Sequence, residues 1–588
     1  MSSHPPLRDV PELTAVERAG PRGYLRYVFP MRLPDDYNLD EVLNVIESGY
    51  KATCQRIGVM ASEAVPDPDA RQANTLKLQR LPNDQVGIVR YKDLRDPEVY
   101  SWDYKALKAK HFPITAFDAD LLMPGPLWPE PGKRLPISLV QVNFIRGGVL
   151  IGWNVFHMVG DATTYLTWTR IWAEECRRRQ GLQIPDPFVI DDAMVTDRQR
   201  VTQPSGNNKG RAEDHPEYTI LPFTPTGASP AMLSTTFRGQ VFYFSPESLS
   251  ALKAEAAPAN ATIETNQQWI STNDAFSALM WRTAVAVQAP LDSLAEDEDA
   301  SSVFNMAVNG RTRTDPPVHP QTLGCFLQYI SVSAPIRDIL GSLSLADLAI
   351  MIRKEILLRL TNQFTDDVVT LIDKLEDVTR LVPTAFLDVL GKTSVQTSWA
   401  EFDLATVEWG PLLGDRIEAV RCPNTGILPG THVVLPALPN GGVEVVFGTE
   451  GELLQKVLED PLWAKFAEPR TSVSLLQKLS TLLSVERSFL SVIGGTGHYA
   501  GIIADIRDKL SWRHRPIDKR IKVRVFVRID QPDPGRYICL DKEVHDYLYG
   551  DGPPPFGVDG SGSGFRMVEF GTGMQYDEFD PDFAQPFL

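Results

Sequence analysis

His157-Met-Val-Gly-Asp161 sets an imidazole and a carboxylate four positions apart, with a glycine between them. An imidazole has an ordinary pKa near 6.5, so it can take a proton from an alcohol near neutral pH. A carboxylate in this position can cap a helix or hold a cation. Five residues are a weak motif. A histidine that ends a strand, followed by an aspartate that caps the next helix, has the same pattern with no chemistry attached.

The surrounding elements favour the chemical reading. Leu139 to Arg146 alternate like a half-buried strand, Gly147-Gly148 makes a tight turn, and Val149 to Phe156 forms the returning strand. His157 falls where that strand ends, on rigid backbone, and Gly160 is expected to leave room for a substrate. Past Asp161 the apolar spacing becomes helical through Tyr165, Leu166, Thr169, Ile171, Trp172 and Cys176, with Arg177, Arg178 and Arg179 in the last turn. Trp168 and Trp172 read as core.

Upstream, Leu25 to Phe29 reads as a strand ended by Pro30, and Asn38 caps a helix carrying Leu39, Val42, Leu43, Val45 and Ile46. Residues 197 to 232 are rich in Pro, Gly, Asn and charge, the composition of a long surface crossover. A second half begins near Ser234. It holds a strand at Gly239 to Phe244, a helix from Asn273 through Phe276, Leu279, Met280 and Trp281, and strands at Val303 to Val308 and Val443 to Phe447. Strands and helices mixed without a strict βαβ rhythm predict an α/β chain of α+β layered packing. The boundaries expected are residues 1–200, a crossover at 201–233, residues 234–470, and an extension at 471–588, partly disordered, with dense Pro and Gly near 551–564.

The 588 residues carry a net charge of −17, which disfavours nucleic acid and anionic lipid as partners. No run approaches the roughly 18 apolar residues of a membrane span. Five widely spaced cysteines, Cys54, Cys176, Cys325, Cys422 and Cys539, suit reduced thiols in a cytoplasmic protein. No His-Glu-x-x-His pattern points to a metal, and no Gly-x-Ser-x-Gly elbow points to a serine hydrolase. Gly495-Thr-Gly497-His-Tyr-Ala500 echoes a dinucleotide fingerprint, but too little chain follows for a nucleotide-binding sheet, so a turn is the better reading.

Four segments together resemble the BAHD acyltransferases, especially the fungal branch that acylates secondary metabolites such as trichothecene alcohols. They are Phe156-His-Met-Val-Gly-Asp-Ala162, Ser271-Thr-Asn-Asp-Ala-Phe-Ser-Ala-Leu-Met-Trp281, Val308-Asn-Gly-Arg311-Thr-Arg313-Thr-Asp-Pro-Pro317 and Leu438-Pro-Asn-Gly-Gly-Val-Glu-Val-Val-Phe447. Their order and spacing agree over about residues 15 to 470. Thr397-Ser398-Trp399 is also present. The Asp-Phe-Gly-Trp-Gly segment that should follow is replaced by Glu408-Trp409-Gly410-Pro411-Leu412.

The resemblance implies two chloramphenicol-acetyltransferase-like domains with an interface tunnel, followed by the C-terminal extension. It implies a monomer that transfers an acyl group from acyl-CoA, by default acetyl-CoA, to a small-molecule alcohol or amine. No permanently bound cofactor or metal is expected. In this frame His157 is the general base and Asp161 pairs with Arg311 in support. Thr397 and Trp399 line the acceptor pocket, and Glu408, Trp409 and Gly410 are structural. Arg313 and Lys392 are candidates for coenzyme A phosphates, with solvated surface charge as the alternative. A carrier-dependent condensation enzyme and a non-catalytic binding relative remain as rivals.

Overall fold

The computed structural model describes residues 10–130, 132–295, 299–423 and 430–470, together with two short strands, Arg536–Ile538 and Arg566–Val568. The chain divides into two compact units, Met1–Ser472 and Val473–Leu588. In the second unit the two short strands pair in parallel. The Gly495 to Ala500 turn, the Pro- and Gly-rich stretch and Cys539 lie outside the described residues.

The first unit holds a four-stranded sheet and a seven-stranded sheet. In the smaller sheet the order is Tyr24–Arg32, Gly148–Phe156, Ser138–Ile145, Val89–Asp93. The expected hairpin is present in register, Ile145 opposite Gly148 and Ser138 opposite Val155, and Gly147 turns at φ +69°. The alternate residues Tyr27, Phe29, Ile151, Trp153, Val155, Val140 and Val142 share one face and are buried against helices Leu39–Arg56 and Ala162–Arg179. Asn38 caps the first of these helices, accepting from the Asp40 and Glu41 amides at 3.0 and 3.3 Å.

Pro30 does not end the first strand, which runs on to Arg32. Its carbonyl accepts from the Glu418 amide, and the neighbouring outward position, Val28, exchanges hydrogen bonds with Arg421. The missing proline N–H therefore faces the outer edge, and no ladder bond to Gly148–Phe156 is lost.

The larger sheet runs Leu327–Pro335, Ser301–Asn309, Ser394–Ser398, Thr431–Val434, Val443–Glu450, Phe237–Phe244, Glu468–Pro469. One face carries Phe304, Met306, Ile330, Val434, Val445 and Phe447 and packs against helices Thr272–Gln288 and Leu345–Arg359. The first of these helices begins in a capping box between Ser271 and Asp274.

The crossover is not all surface. Val201, His215 and Glu217 are buried, and Asn305 Nδ2 donates to the Glu217 carbonyl at 3.0 Å. His215 bridges two carboxylates, Glu217 at 2.7 Å and Asp367 at 3.1 Å. Local composition has the character of a loop, but His215 and Glu217 are buried by partners from elsewhere in the chain, Asp367 152 positions from His215 and Asn305 88 positions from Glu217.

Candidate active site

Strand Gly148–Phe156 delivers His157 into a single 3-10 turn, His157–Val159, before the helix Ala162–Arg179 begins. The turn is pinned at its start, where the His157 amide donates to the Gly23 carbonyl at 2.9 Å. The imidazole is half-buried. Its Nδ1 lies 3.0 Å from the Gly160 carbonyl. A carbonyl can only accept, so Nδ1 carries the proton and Nε2 keeps its lone pair. Burial pushes the imidazole pKa below its ordinary 6.5, so the ring is neutral at pH 7.

Asp161 faces the other way. Its Oδ2 accepts from Arg311 Nη1 at 2.6 Å and the Phe326 amide at 2.9 Å, and its Oδ1 accepts from Arg311 Nη2 at 3.0 Å and the Thr164 amide at 3.2 Å. Four donors saturate the carboxylate, and it caps the helix. Arg311 is fully buried, stacks over Phe326 at 4.6 Å, and donates to the Thr322 and Gly324 carbonyls. A two-pronged, charge-assisted pair with every remaining donor satisfied is a geometry in which a buried ion pair holds. It ties the turn that carries His157 to a segment 150 residues away.

Gly160 makes room for the protein itself rather than for a ligand. A Cβ there would sit 2.7 Å from Tyr165 Cε1. The Tyr165 ring comes to 6.2 Å from the His157 ring, centroid to centroid.

Trp399 is buried 4.5 Å from the Tyr27 ring and shares with Tyr165 the lining of a small apolar cavity. Thr397 is half-buried at the end of strand Ser394–Ser398, paired with Val433, and does not line that cavity. Glu408 is at the surface, 3.0 Å from Arg416 and 3.6 Å from Arg177. Trp409 is fully buried edge-on to Trp172 at 5.2 Å, and its carbonyl accepts from Gln180 Nε2 at 2.7 Å. Gly410 sits at φ +87°, with the Gln180 side chain where a Cβ would be. This segment clamps the far end of the helix that begins at Asp161. The departure from the expected Asp-Phe-Gly-Trp-Gly therefore bears on the scaffold.

Arg313 is not a solvated surface charge. It is buried, donates to the Asn309 carbonyl, and has its pKa lowered by desolvation. Lys392 is half-buried, its amide donating to Asp388 Oδ2 at 2.9 Å. Among the described residues no cluster of three or more His, Cys, Asp or Glu could hold a metal, and no helix is long and apolar enough to cross a membrane. Cys54, Cys176, Cys325 and Cys422 are buried free thiols.

Sequence reasoning missed Tyr165, the Gly160 carbonyl, the Phe326 amide and Thr164. Backbone partners leave no side-chain signal. Tyr165 is visible in the sequence only as one apolar position of a helix.

A neutral imidazole on a strand end, steadied by a buried Asp–Arg pair between two layered sheets, defines an acyltransferase of the BAHD type. The family model described as the transferase family matches residues 113–447, and the chain belongs to that family. A second model, the trichothecene 3-O-acetyltransferase-like N-terminal domain, matches residues 24–176. The chain is 26% identical to trichothecene 3-O-acetyltransferase TRI101 of Fusarium sporotrichioides over 75% of its own length and 92% of the relative's. It is 25% identical to the acyltransferase BOA11 of Botryotinia fuckeliana, over 78% and 98%. Against the enoyl-CoA isomerase/hydratase claC of Penicillium crustosum the identity is 24%, and the chain spans about half of that protein, 51%. Among solved structures, F. graminearum TRI101 complexed with coenzyme A and deoxynivalenol matches 79% of this chain and 100% of its own, with a TM-score of 0.67 and 22% identity. At that identity the likeness concerns the fold.

Proposed function

We propose that the chain transfers an acyl group, by default acetyl, from acyl-CoA to a hydroxyl of a small secondary metabolite, with His157 as general base. The observation that carries this reading is the tautomer: Nδ1–H is held by Gly160 and Nε2 is left with its lone pair. In the step, the acceptor O–H gives its proton to Nε2 as its oxygen attacks the thioester carbonyl. The C–S bond then breaks, and the proton passes from the imidazolium to the departing thiolate. A base placed in this way contributes roughly 10²–10⁴-fold, and holding donor and acceptor together supplies much of the remainder.

Asp161 is a positioning residue in this scheme, because its oxygens are already filled. Two halves, residues 1–200 and 234–470 joined by the crossover, fit the same reading, as do a monomer and a cytoplasmic location. The relatives named for O-acetylation of trichothecene and eremophilane alcohols support a hydroxyl-bearing terpenoid acceptor.

Isothermal titration with coenzyme A and acetyl-CoA, followed by product analysis against trichothecene and eremophilane alcohols, tests the proposal. Saturable binding and a product heavier by one acetyl group are expected. No binding at millimolar ligand would overturn it.

A further inference from the structure

Glu17 is a fully buried carboxylate that the reaction described above does not use. It is the third residue of a short helix, Ala15–Arg18, and shares a capping box with Thr14. The Glu17 amide donates to Thr14 Oγ1 at 3.2 Å, and the Thr14 amide donates to Glu17 Oε2 at 2.9 Å. A cap needs nothing further, yet the carboxylate reaches beyond its own helix. Its Oε1 accepts from the Cys325 amide at 3.1 Å, and its Oε2 accepts from Arg198 Nη2. Oε1 also stands 2.8 Å from where a Cβ on Gly324 would be, so only a glycine there admits it. Burial pushes the Glu17 pKa up, and these donors are what favour the charged form.

Glu17 joins the two supports of the His157 turn. One support is its own segment. Gly20 packs against the turn, a Cβ there lying 3.4 Å from Met158 Cα, and the Gly23 carbonyl accepts the His157 amide at 2.9 Å. The other support is the loop Gly324 to Phe326. Its Phe326 amide, next in the chain to the Cys325 amide, donates to Asp161 at 2.9 Å, and its Gly324 carbonyl accepts from Thr164 Oγ1 at 2.8 Å. Gly23 thus holds the start of the turn and Phe326 holds its end. The contacts close a ring that runs from His157 to Gly23, back along the chain to Glu17, across to Cys325 and Phe326, and back to Asp161.

We infer that Glu17 is a positioning residue for His157, a role that rests on the acyltransferase reading above: it fixes the two ends of the turn relative to each other. The Asp161–Arg311 pair secures one end alone. Without the Glu17 bridge the supports shift independently, the imidazole leaves the Gly160 carbonyl, and water reaches the ring. A displacement of about 1 Å, caused far from the reacting atoms, can cost roughly 10²-fold in rate.

Two substitutions separate the bridge from the cap. Glu17→Asp keeps a capping carboxylate, as Asp274 and Asp347 do at the same position of their helices, but is a methylene too short to keep the Cys325 amide. Thr14→Ala removes the cap hydroxyl and leaves the bridge. Carbethoxylation of His157 by diethyl pyrocarbonate, followed on its peptide by mass spectrometry in the full-length protein, needs no substrate. Its rate against pH reads the pKa of the imidazole. Thiol release from acetyl-CoA, with water as acceptor, gives kcat and KM. Water oxygen bonds to the acetyl carbon, the C–S bond breaks, and the proton passes through His157 to the thiolate.

In Glu17→Asp the modification midpoint should move up toward the ordinary 6.5, because the ring gains solvent. Its kcat should fall about 10–100-fold, with KM for acetyl-CoA within about threefold and a single cooperative melting transition. Thr14→Ala should melt about 2–4 °C lower, with the midpoint unchanged and kcat within about twofold. Glu17→Gln keeps the length but turns an amide nitrogen toward one of the donors. It should behave as Glu17→Asp does, and it decides the matter if Glu17→Asp fails to fold. An unchanged midpoint and kcat in the Glu17 variants would refute the role, and so would equal losses in Thr14→Ala. A wild-type protein that binds coenzyme A but cleaves no acetyl-CoA would instead overturn the acyltransferase reading, and the modification midpoint would still decide whether Glu17 holds the ring.

Discussion

Two histidines of this chain, one half-buried and one fully buried, have opposite tautomers. His157 donates from Nδ1 to a carbonyl and keeps a lone pair on Nε2. His432, on strand Thr431–Val434 of the larger sheet, accepts at Nδ1 from the Gly448 amide at 3.3 Å, so its proton sits on Nε2. It is fully buried, its ring centroid 4.2 Å from that of Phe447, and burial pushes its pKa down to about 3. One imidazole is neutral and keeps its lone pair on Nε2. The other is a neutral donor sealed in a core, unable to accept a proton at Nε2. Residue type is shared; the backbone group opposite Nδ1 decides which nitrogen keeps its lone pair.

The largest test of that contrast is deletion. His157→Ala should lower kcat/KM by about 10²–10⁴-fold with the melting temperature nearly unchanged, whereas His432→Phe should leave kcat/KM within about threefold. Equal losses in the two variants would end the distinction.

Next comes the pair that anchors the turn carrying His157. Arg311→Met leaves a buried carboxylate without its cation and should cost about 3–5 kcal/mol in chemical denaturation. Asp161→Asn keeps the shape but loses two charge-assisted bonds, for about 1.5–3 kcal/mol, and should lower kcat more than it raises KM. An Asp161→Asn enzyme with full kcat would mean that the pair does not position His157.

The pH dependences sharpen the comparison further. Because burial depresses the His157 pKa, the reactive form survives below pH 6.5, and the acid limb of kcat/KM should have its midpoint below that value. For His432 the folded pKa lies below the unfolded one. Its contribution to stability is therefore complete above about 6.5 and is lost as pH falls toward about 3. His432→Phe should reduce the slope of stability against pH across that window by about 1.4 kcal/mol per unit. An unchanged slope would show that His432 is protonated in the fold.

The smallest effect is expected at the altered clamp. Gly410→Ala forces a side chain to φ +87° and against Gln180. It should cost about 1–3 kcal/mol of stability with little change in kcat. A larger loss of kcat than of stability would give the segment a part in turnover.

Much of this could be read from the chain alone. The hairpin, the strand end at His157, the cap at Asp161 and the helix behind it are written in local alternation, turn glycines and 3.6-residue spacing. The segment with Arg311 was recognisable by resemblance, and its pairing with Asp161 agrees with the geometry. Other features were hidden. Pro30 looked like a stop because which edge its missing N–H faces depends on a strand over a hundred residues away. Gly160 looked like a gap for substrate because Tyr165 fills it only once the helix has turned back. Arg313 looked like surface charge, and the crossover looked solvated, because burial by distant elements has no local signature.

The sequence by itself determined where an imidazole meets the end of a strand, and that an aspartate caps the helix beyond it, because backbone hydrogen bonding and apolar periodicity act over a few residues. Only the tertiary structure decided which nitrogen of His157 is free, which oxygens of Asp161 are spent, and how much space lies beyond Tyr165. The first is set by the Gly160 carbonyl three residues on, the second mainly by Arg311 and the Phe326 amide from 150 or more residues away, and the third by rings such as Trp399 and Phe402 from a distant segment; a carbonyl, an amide or a ring leaves no mark in the local pattern.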